Sequence, residues 1–247
     1  MSEHHLTTSW ATGPFLGFDT ETTGVDPSRD RLVTAALVHR GPLQADGGRS
    51  QEVLTWLADP GVPIPSSASA VHGISTERAQ AEGRPAHEVL EEVAVHLATA
   101  MAGGTPVVVF NASFDLTLME HELTRHGLDT LHQRLGGPLA PVLDPLVLDR
   151  AVDRWRKGKR RLDAMCQVYG VQVDEALHTA EVDVAATLDV LEALAQAYPE
   201  VARMSLEDLQ SFQVTAHRRW AESLNDWLRR QGRVPDAGTT WPLATGC

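Results

Sequence analysis

The sequence predicts an α/β domain built on a mixed sheet. Two patterns point there. Three β-type segments come first, over residues 14–20, 31–38 and 52–57, joined by turn-rich stretches. After them, apolar helical stripes alternate with short apolar runs at 107–110 and 141–143. The chain of 247 residues suits one large domain, or one domain with an appendage. The expected organisation is a loose N-terminus over 1–12, a main domain over 13–199, and a C-terminal helix and tail over 200–247.

The first strand begins apolar at Phe15 and ends in a polar turn at Gly24. The second, from Arg31 to Val38, is apolar enough to be buried, and Gly41 to Gly48 reads as a hairpin-like connection into the third. Close neighbours joined by turns predict an antiparallel meander. Asp59 to Ser69 is a Pro- and Ser-rich loop, and Pro85 to Ala102 carries a helical stripe through Val89, Val93, Leu97 and Met101. The β-branched run at Val107 to Val109 predicts a central strand. A helix follows through Leu116, Met119 and Leu123. Asp144 and Pro145 read as the N-cap and first residue of another helix. Two more helices are expected over Arg161 to Tyr169 and Ala180 to Tyr198. Ser205 to Gln231 carries Leu206, Leu209, Phe212, Trp220, Leu224 and Trp227 at helical spacing. That stripe belongs either to a helix docked on the main domain or to a partner-binding helix, with docking favoured. Gly232 to Cys247 is expected to be disordered.

Composition narrows the function classes. Hydrophobic residues make up 43% and charged residues 22%, ordinary for a soluble domain. No apolar run reaches the length of a bilayer span, and the N-terminus lacks a basic start followed by an apolar segment. Neither a signal peptide nor a membrane helix is expected. Two cysteines, Cys166 and Cys247, argue against a disulfide framework and for a reducing, cytoplasmic setting. A net charge of −12 argues against a broad nucleic-acid surface, though not against a narrow groove.

Four features carry chemistry. Asp19 and Glu21 are two apart on a strand, so both face the same side. They either hold a divalent cation or face solvent on an edge strand. Asp115 opens a helix directly after the central strand, where α/β proteins gather functional groups; alone it reads equally as an acid favoured by the helix dipole. His178 precedes a helix whose start holds Asp183, and five such groups together exceed what structural roles supply. Residues Arg154 to Arg161 are basic at six of eight positions in an acidic chain. They form either a solvated loop or a phosphate-contacting loop beside the acids.

Three of these segments resemble the exonuclease motifs of the DEDD superfamily, in order: Phe18-Asp19-Thr20-Glu21-Thr22-Thr23-Gly24, Asn111-Ala112-Ser113-Phe114-Asp115, and His178 with Asp183. The nearest likeness is to the DnaQ-like group, which includes the proofreading epsilon subunit of bacterial replicases. Val71-His72-Gly73-Ile74 and the stretch from Arg161 to Gly170 are similar to further family segments. The resemblance covers about residues 14–197 and leaves the last fifty outside. The other subtype would carry Tyr at position 179; this chain has Thr179, so the histidine subtype is indicated.

The resemblance implies a ribonuclease H-like fold, with a five-stranded mixed sheet flanked by helices. It implies two divalent ions, Mg²⁺ or Mn²⁺, held by Asp19, Glu21, Asp115 and Asp183, with His178 as general base. It places Thr22, Thr23, His72, Ile74, Asn111 and Phe114 at the substrate. The implied activity is 3′→5′ release of 5′-mononucleotides from single-stranded or frayed 3′ ends, DNA favoured over RNA. The alternatives are an RNA 3′ exonuclease or oligoribonuclease, and a non-catalytic or polymerase-associated assembly subunit. The C-terminal helix leaves room for a polymerase or another protein partner.

Overall fold

The computed structural model describes residues 9–172 and 179–244. Strands β1 (Phe15–Thr22), β2 (Leu32–Arg40) and β3 (Gln51–Asp59) form the antiparallel meander. Helices α1 (Ser66–His72) and α2 (Thr76–Glu82) lead to β4 (Arg84–Pro85) and α3 (Ala86–Ala102). Then come β5 (Val107–Val108), α4 (Ala112–Arg125), α5 (Leu131–Leu135), β6 (Val142–Leu143), α6 (Pro145–Val152) and α7 (Leu162–Tyr169). Helices α8 (Ala180–Ala197), α9 (Pro199–Ala202) and α10 (Leu206–Arg230) complete the chain.

The sheet order is β4-β3-β2-β1-β5-β6, with β5 and β6 parallel to β1. The expected count of five strands becomes six. The addition is the two-residue β4, which pairs in parallel with the end of β3 at Ala58 and Asp59. It lies at the sheet edge, where Pro85 costs no ladder bond.

Alternation along β1 sets the layers. Leu16 and Phe18 enter the core built with α3 and α4. Phe15 faces the opposite core, where Val184, Leu188 and Leu191 of α8 lie. Helices therefore cover both faces of β1, and residues 17, 19 and 21 share the α8 face.

Both chain ends depart from expectation. Of the stretch expected to be loose, the described residues 9–12 are folded in: Trp10 to Thr12 forms a 3₁₀ turn after Ser9, and the buried Trp10 indole donates to the Val201 carbonyl at 3.2 Å. In the tail expected to be disordered, the described residues 232–244 pack on the domain. Trp241 is buried in the α3/α4 core, and the Ala244 amide donates to the Thr117 hydroxyl at 2.9 Å. Asn225 and Ala237 exchange two hydrogen bonds.

Helix α10 lies against α6 and β6. Its most buried positions are Leu209, Gln213, His217, Ala221, Asn225 and Leu228; of the apolar set read from spacing, Leu209 is buried, Leu206 and Phe212 pack half-buried against the core, and Trp227 is 45% exposed. Polar side chains fill this face because they satisfy backbone groups. Gln213 accepts from the Asp144 amide at 2.7 Å and donates to the Val142 carbonyl at 2.9 Å. Among the described residues, no helix is long and apolar enough to cross a membrane.

Candidate active site

Asp19, Glu21 and Asp183 converge at the C-terminal end of β1. One carboxylate oxygen of each lies within 4.8 Å of the others. Asp19 and Glu21 face α8 by strand alternation, and Asp183 comes from the first turn of α8. Gly17 makes this approach possible. A Cβ there would sit 2.4 Å from Cγ1 of Val184 and 3.1 Å from Leu188. A side chain would force α8, and Asp183 with it, away from the strand. A β-bulge between Glu21 and Thr22 further marks this strand end, Glu21 pairing with Thr34 and Thr22 with Leu32.

Asp115 stands outside that group of three but lines the same cleft from the first turn of α4, and is nearly fully buried. Its Oδ1 accepts from the Thr20 hydroxyl at 2.6 Å and the Thr20 amide at 3.1 Å. Asn111, ahead of α4, adopts a left-handed backbone (φ 64°), a conformation Asn tolerates better than most residues. The turn is held by Asp144. Its two carboxylate oxygens accept the amides of Asn111 at 3.1 Å and Ala112 at 2.9 Å, and Oδ1 also caps α6 through Leu146 at 2.9 Å.

The electrostatics follow from burial and crowding. Burial, then the charges of Asp115, Glu21 and Asp183, push the Asp19 carboxyl well above its ordinary value. Burial and the same kind of repulsion raise Glu21 to about 7. Burial raises Asp115 to about 7, against the opposing hydrogen bonds from Thr20. Carboxylates so placed favour a shared cation.

A cleft of about 430 Å³ opens over Asp19, Asp115 and Asp183. Of the residues the resemblance places at the substrate, Asn111 and Phe114 line it, together with Phe110, Leu146, Arg150, Arg160 and Arg161. Four other expected substrate residues lie off its lining. Thr22 and Thr23 are buried, and their hydroxyls serve the turn: Thr22 donates to the Gly24 carbonyl at 2.5 Å and Thr23 to Asp30 at 3.0 Å. His72 and Ile74 are also buried. Nδ1 of His72 accepts from the Ile74 amide at 3.1 Å. Burial lowers the His72 pKa, opposed by the Thr22 backbone beside it. The expected general base, His178, lies outside the described residues.

Sequence reasoning overlooks Gly17, Thr20 and Arg150. A glycine inside a strand is a readable sign of close backbone approach. Thr20 alternates away from Asp19 and Glu21, and its role depends on where α4 lands. Arg150 has no local signal.

Fold and acidic cleft together define a nuclease of the DEDD superfamily. The chain belongs to the RNase T exonuclease family, whose pattern it matches over residues 16–191. A DNA polymerase III subunit epsilon-like protein of Rhodobacter capsulatus is 34% identical over 184 residues, 71% of this chain and 23% of the relative. A PolC-type DNA polymerase III of Lacticaseibacillus paracasei is 27% identical over 195 residues, 78% of this chain and 12% of the relative. The chain thus spans less than a quarter of these curated relatives. Among solved structures, exonuclease I of E. coli in complex with a dT13 oligonucleotide superposes with a TM-score of 0.63 at 20% identity, covering 76% of this chain and 42% of that one. Exonuclease I of Methylocaldum szegediense gives 0.61 at 24% identity, covering 87% and 46%. These likenesses show the shared fold.

Proposed function

We propose that this chain is a metal-dependent 3′→5′ exonuclease of the histidine subtype, releasing 5′-mononucleotides from single-stranded or frayed DNA. The observation that carries the reading is the convergence of Asp19, Glu21 and Asp183 beside the buried Asp115, in a chain of an exonuclease family. Crowded carboxylates with raised pKa values fit a hard divalent cation. Asp19, Glu21, Asp115 and Asp183 would hold two such ions, Mg²⁺ or Mn²⁺. When bound, these ions neutralise the phosphodiester, activate water and stabilise the leaving 3′ oxygen.

The chain's own groups do the rest. Thr20 fixes Asp115 in one orientation through two donors to one oxygen. Phe114, with Phe110 and Leu146, offers an apolar wall for the terminal base, suited to contact without sequence readout. Arg160 and Arg161 bring positive charge to the rim, where a phosphate chain must pass. His178, as general base, takes the proton of the attacking water on an imidazole nitrogen, since imidazole titrates near neutrality. Thr22, Thr23, His72 and Ile74, buried behind the cleft, support the end of the strand that carries Asp19 and Glu21.

DNA is favoured because the relatives are named as DNA polymerase III proteins and exonuclease I was solved with an oligodeoxynucleotide. The same relatives make a polymerase the favoured protein partner. The test is matched 5′-labelled DNA and RNA strands incubated with Mg²⁺ or Mn²⁺. Expected is stepwise shortening from the 3′ end, faster on DNA and absent in Asp19→Ala. Faster RNA shortening would reverse the substrate preference, and no metal-dependent shortening of either strand would defeat the reading.

A further inference from the structure

A second, larger cavity of about 560 Å³ adjoins the catalytic cleft, with Arg150 and Arg160 lining both. Its other walls come from the basic loop, through Arg154, Trp155 and Arg156, and from α10, through Arg219 and Trp220. Among the described residues, five arginines face it and no carboxylate does, in a chain of net charge −12. Such local concentration against the overall charge requires a reason.

Structural pairing accounts for part of it. Asp149, fully buried, takes Arg156 at 2.6 Å and also binds Arg160, and it accepts the Tyr169 hydroxyl at 2.9 Å. This pins both ends of the loop to α6 and α7. Arg154 and Arg219, by contrast, are exposed and in no ion pair among the described residues. The Arg150 guanidinium carbon lies over the Trp220 ring, 3.6 Å from its centre, so α10 holds in place the arginine that bridges the two cavities. Trp155 is 83% exposed, with Arg154 above its ring. An indole presented to solvent beside unpaired cations is a stacking platform for a base on a phosphate chain.

We propose that this cavity carries the single strand behind its 3′-terminal nucleotide. Phosphates lie on Arg154 and Arg219, a base stacks on Trp155, and the C-terminal helix thereby becomes part of the nucleic-acid surface. The inference rests on the exonuclease reading for its direction of travel. Continuity with the cleft through Arg150 and Arg160 favours a nucleic-acid strand over an acidic peptide as occupant.

The test compares wild type with R154E, R219E and W155A, all at exposed positions. Binding of a fluorescein-labelled oligothymidylate of about 16 nucleotides is measured without metal. Hydrolysis of thymidine 5′-monophosphate 4-nitrophenyl ester is measured with Mn²⁺. Expected are weaker strand binding in all three variants, at least about fivefold for W155A, and a log Kd against log salt slope flatter by about 0.7 for each arginine replaced. Ester hydrolysis stays at the wild-type rate, and R154K restores strand binding. Strand binding equal to wild type in the variants overturns the proposal and leaves the exonuclease reading intact. So does displacement of the strand's occupancy by polyglutamate at lower concentration than by unlabelled strand. If wild type binds strand in an Arg154- and Arg219-dependent way but cleaves neither ester nor strand, the exonuclease reading falls and this surface stands.

Discussion

The Thr20 hydroxyl and the Thr20 amide both donate to the same oxygen, Oδ1 of Asp115, at 2.6 and 3.1 Å. The strand end that bears Asp19 and Glu21 is thereby tied directly to the helix that bears Asp115. Thr20→Val keeps the shape and the amide bond but removes the hydroxyl. Loss of a hydrogen bond to a buried carboxylate costs about 1–3 kcal/mol, readable in urea unfolding. Because the Thr20 hydroxyl bond holds the Asp115 pKa down, its loss raises that pKa further. Mn²⁺ affinity at neutral pH falls in this variant and recovers as pH rises.

The raised carboxyls predict an unusual pH dependence for the metal-free protein. Glu21 rises from 4.5 to about 7, and Asp115 from 3.8 to about 7. The folded state therefore binds more protons than the unfolded state between those values, and these two groups make stability fall as pH rises through that window. Above about 7 the loss is complete. Thermal unfolding across this range shows the decline in wild type, a smaller decline in Glu21→Gln, and recovery at the alkaline end on adding Mg²⁺.

Gly17 predicts a coupling between packing and activity. In Gly17→Ala the new methyl meets Cγ1 of Val184 at 2.4 Å. Overpacking of this kind costs about 1–3 kcal/mol. It also displaces Asp183, one residue before Val184, so kcat falls at temperatures where the variant is fully folded. Pairing it with Val184→Ala restores room for the methyl, and part of the lost activity returns.

The tail is predicted to be integral to the domain. Trp241 is buried, and its indole Nε1 lies 3.4 Å from Asp144. Trp241→Ala destabilises by about 3–5 kcal/mol, as expected for a large core aromatic. Trp227→Ala, at an exposed position, changes stability by no more than about 0.5 kcal/mol. Denaturant melts of the two variants separate these outcomes. Truncation after residue 199 removes Gln213 from Asp144 and leaves the β6–α6 junction without a buried partner.

Asp19 and Glu21 are legible in the sequence because strand period and charge spacing are local facts. Asp115 and Asp183 are legible because each stands at the start of a helix. The meander and the Asp144 cap of α6 follow from local pattern in the same way. The polar part of the buried face of α10 does not. Gln213, His217 and Asn225 are polar, and only the partners brought by β6 and the folded-back tail make their burial favourable. Trp241 is invisible for the same reason, lying in a Pro-, Gly- and Thr-rich stretch whose composition resembles a loose end. The tie from Thr20 to Asp115 depends on where α4 lands against β1, and what the strand glycine Gly17 meets depends on where α8 lands.

The most direct measurement is a Mn²⁺ titration by calorimetry, with wild type and Asp19→Asn side by side and thymidine 5′-monophosphate present. Wild type binds two ions per chain. Asp19→Asn, which keeps the shape of the side chain but removes its charge, loses that binding while its melting curve without metal shows it folded. Absence of Mn²⁺ binding in wild type, or equal binding by the folded Asp19→Asn protein, would contradict a metal site built on Asp19, Glu21, Asp115 and Asp183.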